Sequence, residues 1–332
     1  MIDSQILSQY QNAKRYGGIF DFSYRGKIEV VGNDRKSFLH RMLTHDIASL
    51  FPGQGCYAAL LTAQSKIITD LNVFLYENHI LLTVEPDCTQ KTINTLQKFV
   101  VMDDVGFKDR TDHMAAIAVF GECAESIVRQ LMPQTDLPNR LFFHRPASIN
   151  QCLSEIVRIP FYGMNAWVFL VSLDDKQKVY EVLLRTAQNE SVLPISKETK
   201  EILRIEAGVP TCGIDFSEEH LLLETGIESR AVSFAKGCYP GQELVARMDS
   251  RAKFAKKLAL LEISGALIPK TGDGIRKDSK EVGKITSACF SPSQNHVIAI
   301  GIVARDALMN GAQVEVARES QLIPAKILSA LS

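Results

Sequence analysis

KGCYPGQELVARM, residues 236–248, sets a lysine, a cysteine and two glycines around a proline, then opens an amphipathic run. Pro240 fixes φ near the helical value, and proline is favoured at the first helical position. Leu244, Val245 and Met248 then share one face, so a helix is expected. Cys238 sits just ahead of that helix, where the positive end of the helix dipole, joined by Lys236, favours thiolate over thiol. Glu243 and Arg247, four apart, are spaced to pair on the helix surface. Inert packing is the alternative reading of Cys238.

The wider window, residues 236–257, holds six cations (Lys236, Arg247, Arg251, Lys253, Lys256, Lys257) against two anions (Glu243, Asp249). That is a net +4 inside a chain of net charge −1, and it reads as an anion-binding rim. The whole chain makes no such argument: at 332 residues, 46% hydrophobic and 23% charged, it has the composition of an ordinary globular protein of two or three domains. No nucleic-acid partner is implied. No stretch approaches the ~18 consecutive apolar residues of a membrane span. The seven cysteines are odd in number, widely spaced and without a CxxC, and the seven histidines lack HxxxH spacing. Neither a disulfide framework nor a preformed metal site follows. The first residues lack the apolar core of a secretory leader, and the expected compartment is the cytoplasm. There is no GxGxxG opening a strand–helix unit and no Walker loop, so nucleotide binding has no support.

Outward from the motif, two segments resemble one another. KIEVVGNDRKSFLHRML (27–43) and AIAVFGECAESIVRQLM (116–132) each read as a strand, a glycine, a polar turn and a helix. Ile28, Val30 and Gly32 align with Ile117, Val119 and Gly121, which suggests two related α+β units. Between them, residues 56–86 alternate strands and turns, and 87–103 reads as a helix capped by Asp87. Residues 155–172 are strand-like, 174–190 helical, and 196–210 a helix stopped by Gly and Pro. From about residue 253 short alternating strands between Gly, Pro, Asn and Asp read as a small all-β barrel or sandwich.

The run KGCYPGQELVAR resembles the signature of the YgfZ family, folate-binding proteins related to the glycine-cleavage aminomethyltransferase, or T-protein. VVGNDRKSFLHRMLTHDI, GQGCYAALLTAQSKIITDLNVF, LRIEAGVPTCGIDF and VGKITSACFSP resemble further family segments in the family's order. The resemblance implies an α+β, three-domain ring: two interleaved ferredoxin-like domains and a C-terminal β-barrel around a tetrahydrofolate channel. The expected division is 1–32 with 112–195, 33–111 with 196–252, and 253–332.

It also implies a function: tetrahydrofolate binding in support of iron–sulphur cluster assembly or repair in client enzymes, with Cys238 reactive. The motif residues Lys236, Gly237, Tyr239, Gly241, Gln242, Glu243 and Arg247 would flank the channel. Asp70, matching the T-protein Asp-Leu step, and Glu206 in LRIEAG would face the folate together with Lys236 and Arg247. The alternative is a folate-dependent aminomethyl or one-carbon transferase. One departure bears on the choice. Where T-protein places a glutamate on the pterin ring, this chain has Met164 in YGMNAW, and a thioether cannot accept from two N–H donors as a carboxylate does. Slow aminomethyl transfer is the expectation.

Overall fold

The computed structural model describes residues 3–251, 254–319 and 321–332. After helix α1 (Ser4–Arg15) and strand β1 (Gly18–Asp21), the chain runs through two units of one design. The first is β2 (Gly26–Val31), α2 (Arg35–Met42), β3 (Gln54–Leu61), β4 (Ile67–Leu75), β5 (Ile80–Val84), α3 (Thr89–Gln97) and β6 (Gly106–Asp109). The second is β7 (Met114–Phe120), α4 (Ala124–Leu131), β8 (His144–Ile149), β9 (Cys152–Phe161), β10 (Met164–Ser172), α5 (Lys176–Gln188) and β11 (Leu193–Pro194). Strand order is β3-β4-β5-β2-β6 in one sheet and β8-β9-β10-β7-β1-β11 in the other. The second is the first with β1 inserted between its last two strands.

The paired sequence segments occupy equivalent places. β2 and β7 are each the fourth strand in order, and each runs through a left-handed glycine into its helix: Gly32 has φ 101° and Gly121 φ 98°. A Cβ on Gly32 would lie 2.0 Å from the Asp104 carbonyl oxygen, and one on Gly121 2.3 Å from the Gly17 Cα, so only glycine fits either turn. Ile28, Val30, Ile117 and Val119 are all fully buried, as are the helix residues Leu39, Ile127 and Val128. β2 pairs with β5 and β6, so the chain crosses between sheets at residues 22–25 rather than near residue 32. Asp87 lies inside a short 3-10 turn, Pro86–Cys88, instead of capping α3.

The chain then forms α6 (Lys197–Glu206), started by the Ser196 side chain accepting from the Thr199 N–H at 3.2 Å. Two short helices follow across irregular chain, α7 (Glu228–Ala231) and α8 (Gln242–Arg251). Strands β12 (Lys256–Ile263), β13 (Gly274–Lys277), β14 (Lys280–Ser291), β15 (His296–Ala304), β16 (Gln313–Arg318) and β17 (Gln321–Ala330) close into an antiparallel barrel ordered β12-β15-β14-β13-β16-β17. Its interior is filled by aliphatic side chains such as Leu261, Ile285, Ala299 and Ile327. No helix among the described residues is long and apolar enough to cross a membrane.

One buried ionic node joins α6 to the barrel. Arg204 donates to Glu201 (2.7 Å), the Val209 carbonyl (2.8 Å), Asp215 (2.6 Å) and Ser287 on β14 (2.8 Å). Both Arg204 and Asp215 are out of solvent, so deleting Asp215 leaves the buried guanidinium with only the partly exposed Glu201 as an ion partner among the described residues. Asp215→Ala should cost about 3–5 kcal/mol in urea unfolding, whereas the double change Arg204→Met, Asp215→Ala should cost less than the single one.

Candidate functional site

A cavity of about 420 Å³ opens where the two sheets, α6 and the chain before α7 converge. Asp70 reaches it from β4. Because successive strand residues alternate faces, Asn72 lies on the same face, and Tyr57 on β3 stands opposite Asn72 in the register. The Tyr57 hydroxyl donates to Asp70 Oδ2 at 2.7 Å, while Oδ1 is buried with no hydrogen-bond partner. Burial pushes the Asp70 carboxyl above its usual range, against the lowering effects of Tyr57 and the nearby Arg25 charge. Burial and the Asp70 carboxylate together push the Tyr57 hydroxyl well up, so it stays protonated as a donor.

The remaining wall is aromatic and cationic. Phe22, Tyr24, Phe142, Phe161 and Tyr162 line it, and the Phe142 ring lies nearly parallel to Tyr57, with centroids 6.5 Å apart. Arg25 pairs with Glu85 at 2.9 Å, and Arg230 lies 5.7 Å from the Tyr57 ring. Lys200 enters from α6, 2.9 Å from Glu201 and 3.5 Å from the Tyr24 hydroxyl. Phe142 and Tyr162 both have left-handed backbones, φ 63° and 49°, a conformation that is an outlier for bulky side chains and concentrates at ligand sites.

The residues expected to form one site fall in three places. Asp70 is in the cavity. Glu206 is not: it accepts from Tyr10 (2.7 Å), Ser291 (2.5 Å) and Ser293 (2.9 Å), joining α1 and α6 to the barrel. A carboxylate at that helix end is held by hydroxyls from both sides, which leaves it nothing to offer the channel. The 236–248 motif forms a third place, on the outer surface. Cys238 is exposed and lines a groove with His40 and Arg41, then a second with Gln242, Glu243 and Arg247, and none of these residues lines the cavity.

Within the motif the roles are largely architectural. Lys236 is buried: its ammonium donates to the His40 and Leu43 carbonyls at the C-terminal end of α2 and lies 5.1 Å from the Tyr239 ring. It therefore does not contribute to an exposed anion rim, and burial lowers its pKa to about 8. Tyr239 is core. Gly241, at φ 83°, presses on the β3–β4 turn, and Ser65 donates to its carbonyl at 2.5 Å. A Cβ there would meet the Thr62 oxygen at 2.7 Å. Gly237 has open space around it. Helix α8 starts at Gln242, with Val245 and Met248 buried as the spacing predicted, but Glu243 and Arg247 do not come within ion-pair distance. Of the other rim cations, Lys257 is bound to Glu228 at 2.5 Å, and Lys253 lies outside the described residues.

Asn72 was within reach of sequence reasoning, since period-two alternation from Asp70 marks it, whereas Tyr57 is brought there by the β3–β4 register. Arg25, Glu85, Lys200 and Arg230 come from four separate segments with no shared pattern.

This is a protein of two copies of an α+β unit and a barrel, with an aromatic cavity around one buried carboxylate between the two units. The family of the GCVT N-terminal domain matches residues 2–236, and that of the glycine-cleavage T-protein C-terminal barrel domain matches residues 256–331. The chain belongs to the glycine-cleavage T-protein family. It is 25% identical over 98% of its length to an aminomethyltransferase of Desulfitobacterium hafniense, covering 89% of that protein. It is 29% identical over 96% of its length to a putative chloroplastic transferase of Arabidopsis thaliana, covering 71% of it. The fold matches the glycine cleavage system aminomethyltransferase T of Bartonella henselae with a TM-score of 0.85 at 20% identity, over 98% of this chain and 88% of that one.

Two outcomes follow from the site's geometry. Asp70→Asn removes a carboxylate whose charge the fold disfavours. A carboxyl with a raised folded pKa binds protons more tightly in the folded state, so stability falls as pH rises from the unfolded value, near 3.8, through the folded one. The variant should therefore melt higher than the parent at pH 7 and lose that advantage near pH 3, read by thermal unfolding. Lys236 gives the opposite slope: its folded pKa of about 8 lies below the ordinary 10.5, so the unfolded state binds the extra proton and stability rises with pH between those values. Lys236→Met should flatten that rise in denaturation curves taken from pH 8 to 10.5.

Proposed function

We propose that the cavity binds a reduced folate and that the chain transfers a one-carbon unit of the aminomethyl class. The observation that carries this reading is Asp70: a buried carboxylate that lines the cavity, with one oxygen anchored by Tyr57 and the other buried without a partner. The surroundings fit the ligand. The volume is within the roughly 300–1,000 Å³ of small-molecule sites, and the aromatic walls suit a flat bicyclic ring. Lys200 and Arg230 supply cationic partners for carboxylates, in place of the rim expected at 236–257. When bound, the folate supplies the nitrogen that accepts the one-carbon unit.

The chain's own residues do the positioning and the proton work. Tyr57 fixes the rotamer of Asp70 through Oδ2, leaving Oδ1 to hold an N–H donor or take its proton. Burial makes the carboxylate a stronger base than in water, which favours proton transfer near neutral pH. Met164, the departure from the T-protein pattern, is not among the cavity-lining residues, and the cavity carries a second carboxylate in Glu85. The expectation of slow transfer therefore loses its main support, and the curated relatives named aminomethyltransferase favour the transferase reading.

A second reading, the accessory role for iron–sulphur client enzymes, keeps one specific observation in its favour. Cys238 is exposed beside Gly237, away from the cavity, where a partner could reach it. The YgfZ-type assignment and the cytoplasmic location belong to this reading and rest on the sequence. The two readings separate in one assay. Given tetrahydrofolate and an aminomethyl donor, the protein should form methylene-tetrahydrofolate. Asp70→Asn should lower kcat by about 10²–10⁴, as for loss of a general acid–base group, and Cys238→Ala should leave it unchanged. No product from the parent protein, with client-enzyme activity lost from a Cys238→Ala strain, would transfer the conclusion to the accessory role.

A further inference from the structure

Two cysteines that the folate reading does not use lie close in the chain to segments that line the same cavity. Cys88 closes the 3-10 turn ahead of α3, Cys212 lies in the irregular chain after α6, and their sulfurs are 3.8 Å apart. Both are buried. Each continues directly from a piece of cavity wall. Glu85, three residues before Cys88, holds Arg25 there, and Val209, Pro210 and Thr211 lead into Cys212. The Cys212 sulfur also lies 4.0 Å from the Ile68 carbonyl, two residues along β4 from Asp70.

The two thiols share one hydrogen bond in which either sulfur can donate; with Cys212 as the donor, the bond lowers the pKa of Cys88 and, with burial, raises that of Cys212. With the shared proton on Cys212, Cys88 is the attacking sulfur and Cys212 its protonated partner.

We propose that Cys88 and Cys212 are an oxidisable dithiol, closed to a disulfide by a hydroperoxide, through which the redox state acts on the wall of the ligand cavity. The Cys88 thiolate attacks a peroxide oxygen; the O–O bond breaks, and a sulfenic acid and hydroxide form. The Cys212 sulfur then attacks the sulfenic sulfur, the S–O bond breaks, and the departing hydroxide takes the Cys212 proton as water. In sum two thiols lose two electrons and two protons, and hydrogen peroxide becomes two waters. Closing the 3.8 Å gap draws the two wall segments together. Arg204 holds Val209 and Asp215, so the adjustment falls on residues 210–214, beside the cavity.

The test uses the full chain carrying Cys238→Ser, which removes the exposed thiol. After hydrogen peroxide, remaining thiols are alkylated in denaturant and the protein is digested without reductant for mass spectrometry. The expected product is a cross-linked pair of peptides holding Cys88 and Cys212, two hydrogens lighter than the reduced peptides and released by dithiothreitol. In Cys212→Ser the reaction should stop at a Cys88 sulfenic acid that dimedone traps. Recovery of both cysteines as alkylated thiols, after peroxide sufficient to oxidise Cys238 in the parent chain, would overturn the proposal. Coupling to the cavity is read separately, and this arm alone rests on the folate reading. Tetrahydrofolate should bind at least threefold more weakly to the oxidised protein and recover with dithiothreitol. A cross-link that forms while binding stays unchanged would remove the coupling, and no binding in either state would count against the folate reading and not the dithiol.

Discussion

The buried guanidinium of Arg204 is the constraint on which the rest of the molecule depends. Its four partners come from its own helix, from the chain after that helix and from the barrel, and Asp215 returns two further bonds, accepting from Thr286 and Ser287 at 2.6 Å each. A charge so far from water is tolerated only when it is paired and hydrogen-bonded, so the three segments must meet in one arrangement. That arrangement places Val209, Pro210 and Thr211 on one side of the cavity and Lys200, one turn before Arg204, beside them. Ion-pair geometry at the joint thus sets the position of the cavity wall.

The internal repeat accounts for where that wall faces. Two sheets of the same strand order cannot each bury both faces alone; packed together through Phe74 on one and Val157, Val168 and Leu170 on the other, they share one core and leave a gap at its edge. Asp70 and Tyr57 project into the gap from one sheet, and Ile159, Phe161 and Tyr162 from the other. An unengaged buried carboxylate oxygen costs stability, and the fold keeps it where a ligand can offset that cost.

The 236–248 motif has a different logic. Lys236 ties it to the end of α2, Gly241 to the β3–β4 turn, and Tyr239 to the core, so most of its distinctive residues serve to hold an exposed loop still. Cys238 and Gly237 are left over by this account, the one exposed and the other unconstrained. A motif can be strongly specified by backbone contacts and still present a single reactive side chain.

By itself the sequence determined whatever depends on local periodicity. The repeat was legible because strand, glycine and helix recur with the same spacing, and the barrel because its strands alternate over short lengths between turn residues. Asp70 was legible from its family segment. What only the tertiary structure decided is which side chains share a volume. Glu206 sits on an amphipathic helix whose pattern cannot distinguish a channel from the hydroxyls of Tyr10, Ser291 and Ser293, and Lys236 looked exposed because charge alone does not reveal two carbonyls 193 and 196 residues away. The pairing of Cys88 with Cys212 spans 124 residues and leaves no periodic trace. Hydrophobic patterns report the face on which a residue lies; the partner it meets there is set by how the two sheets and the barrel close around one another.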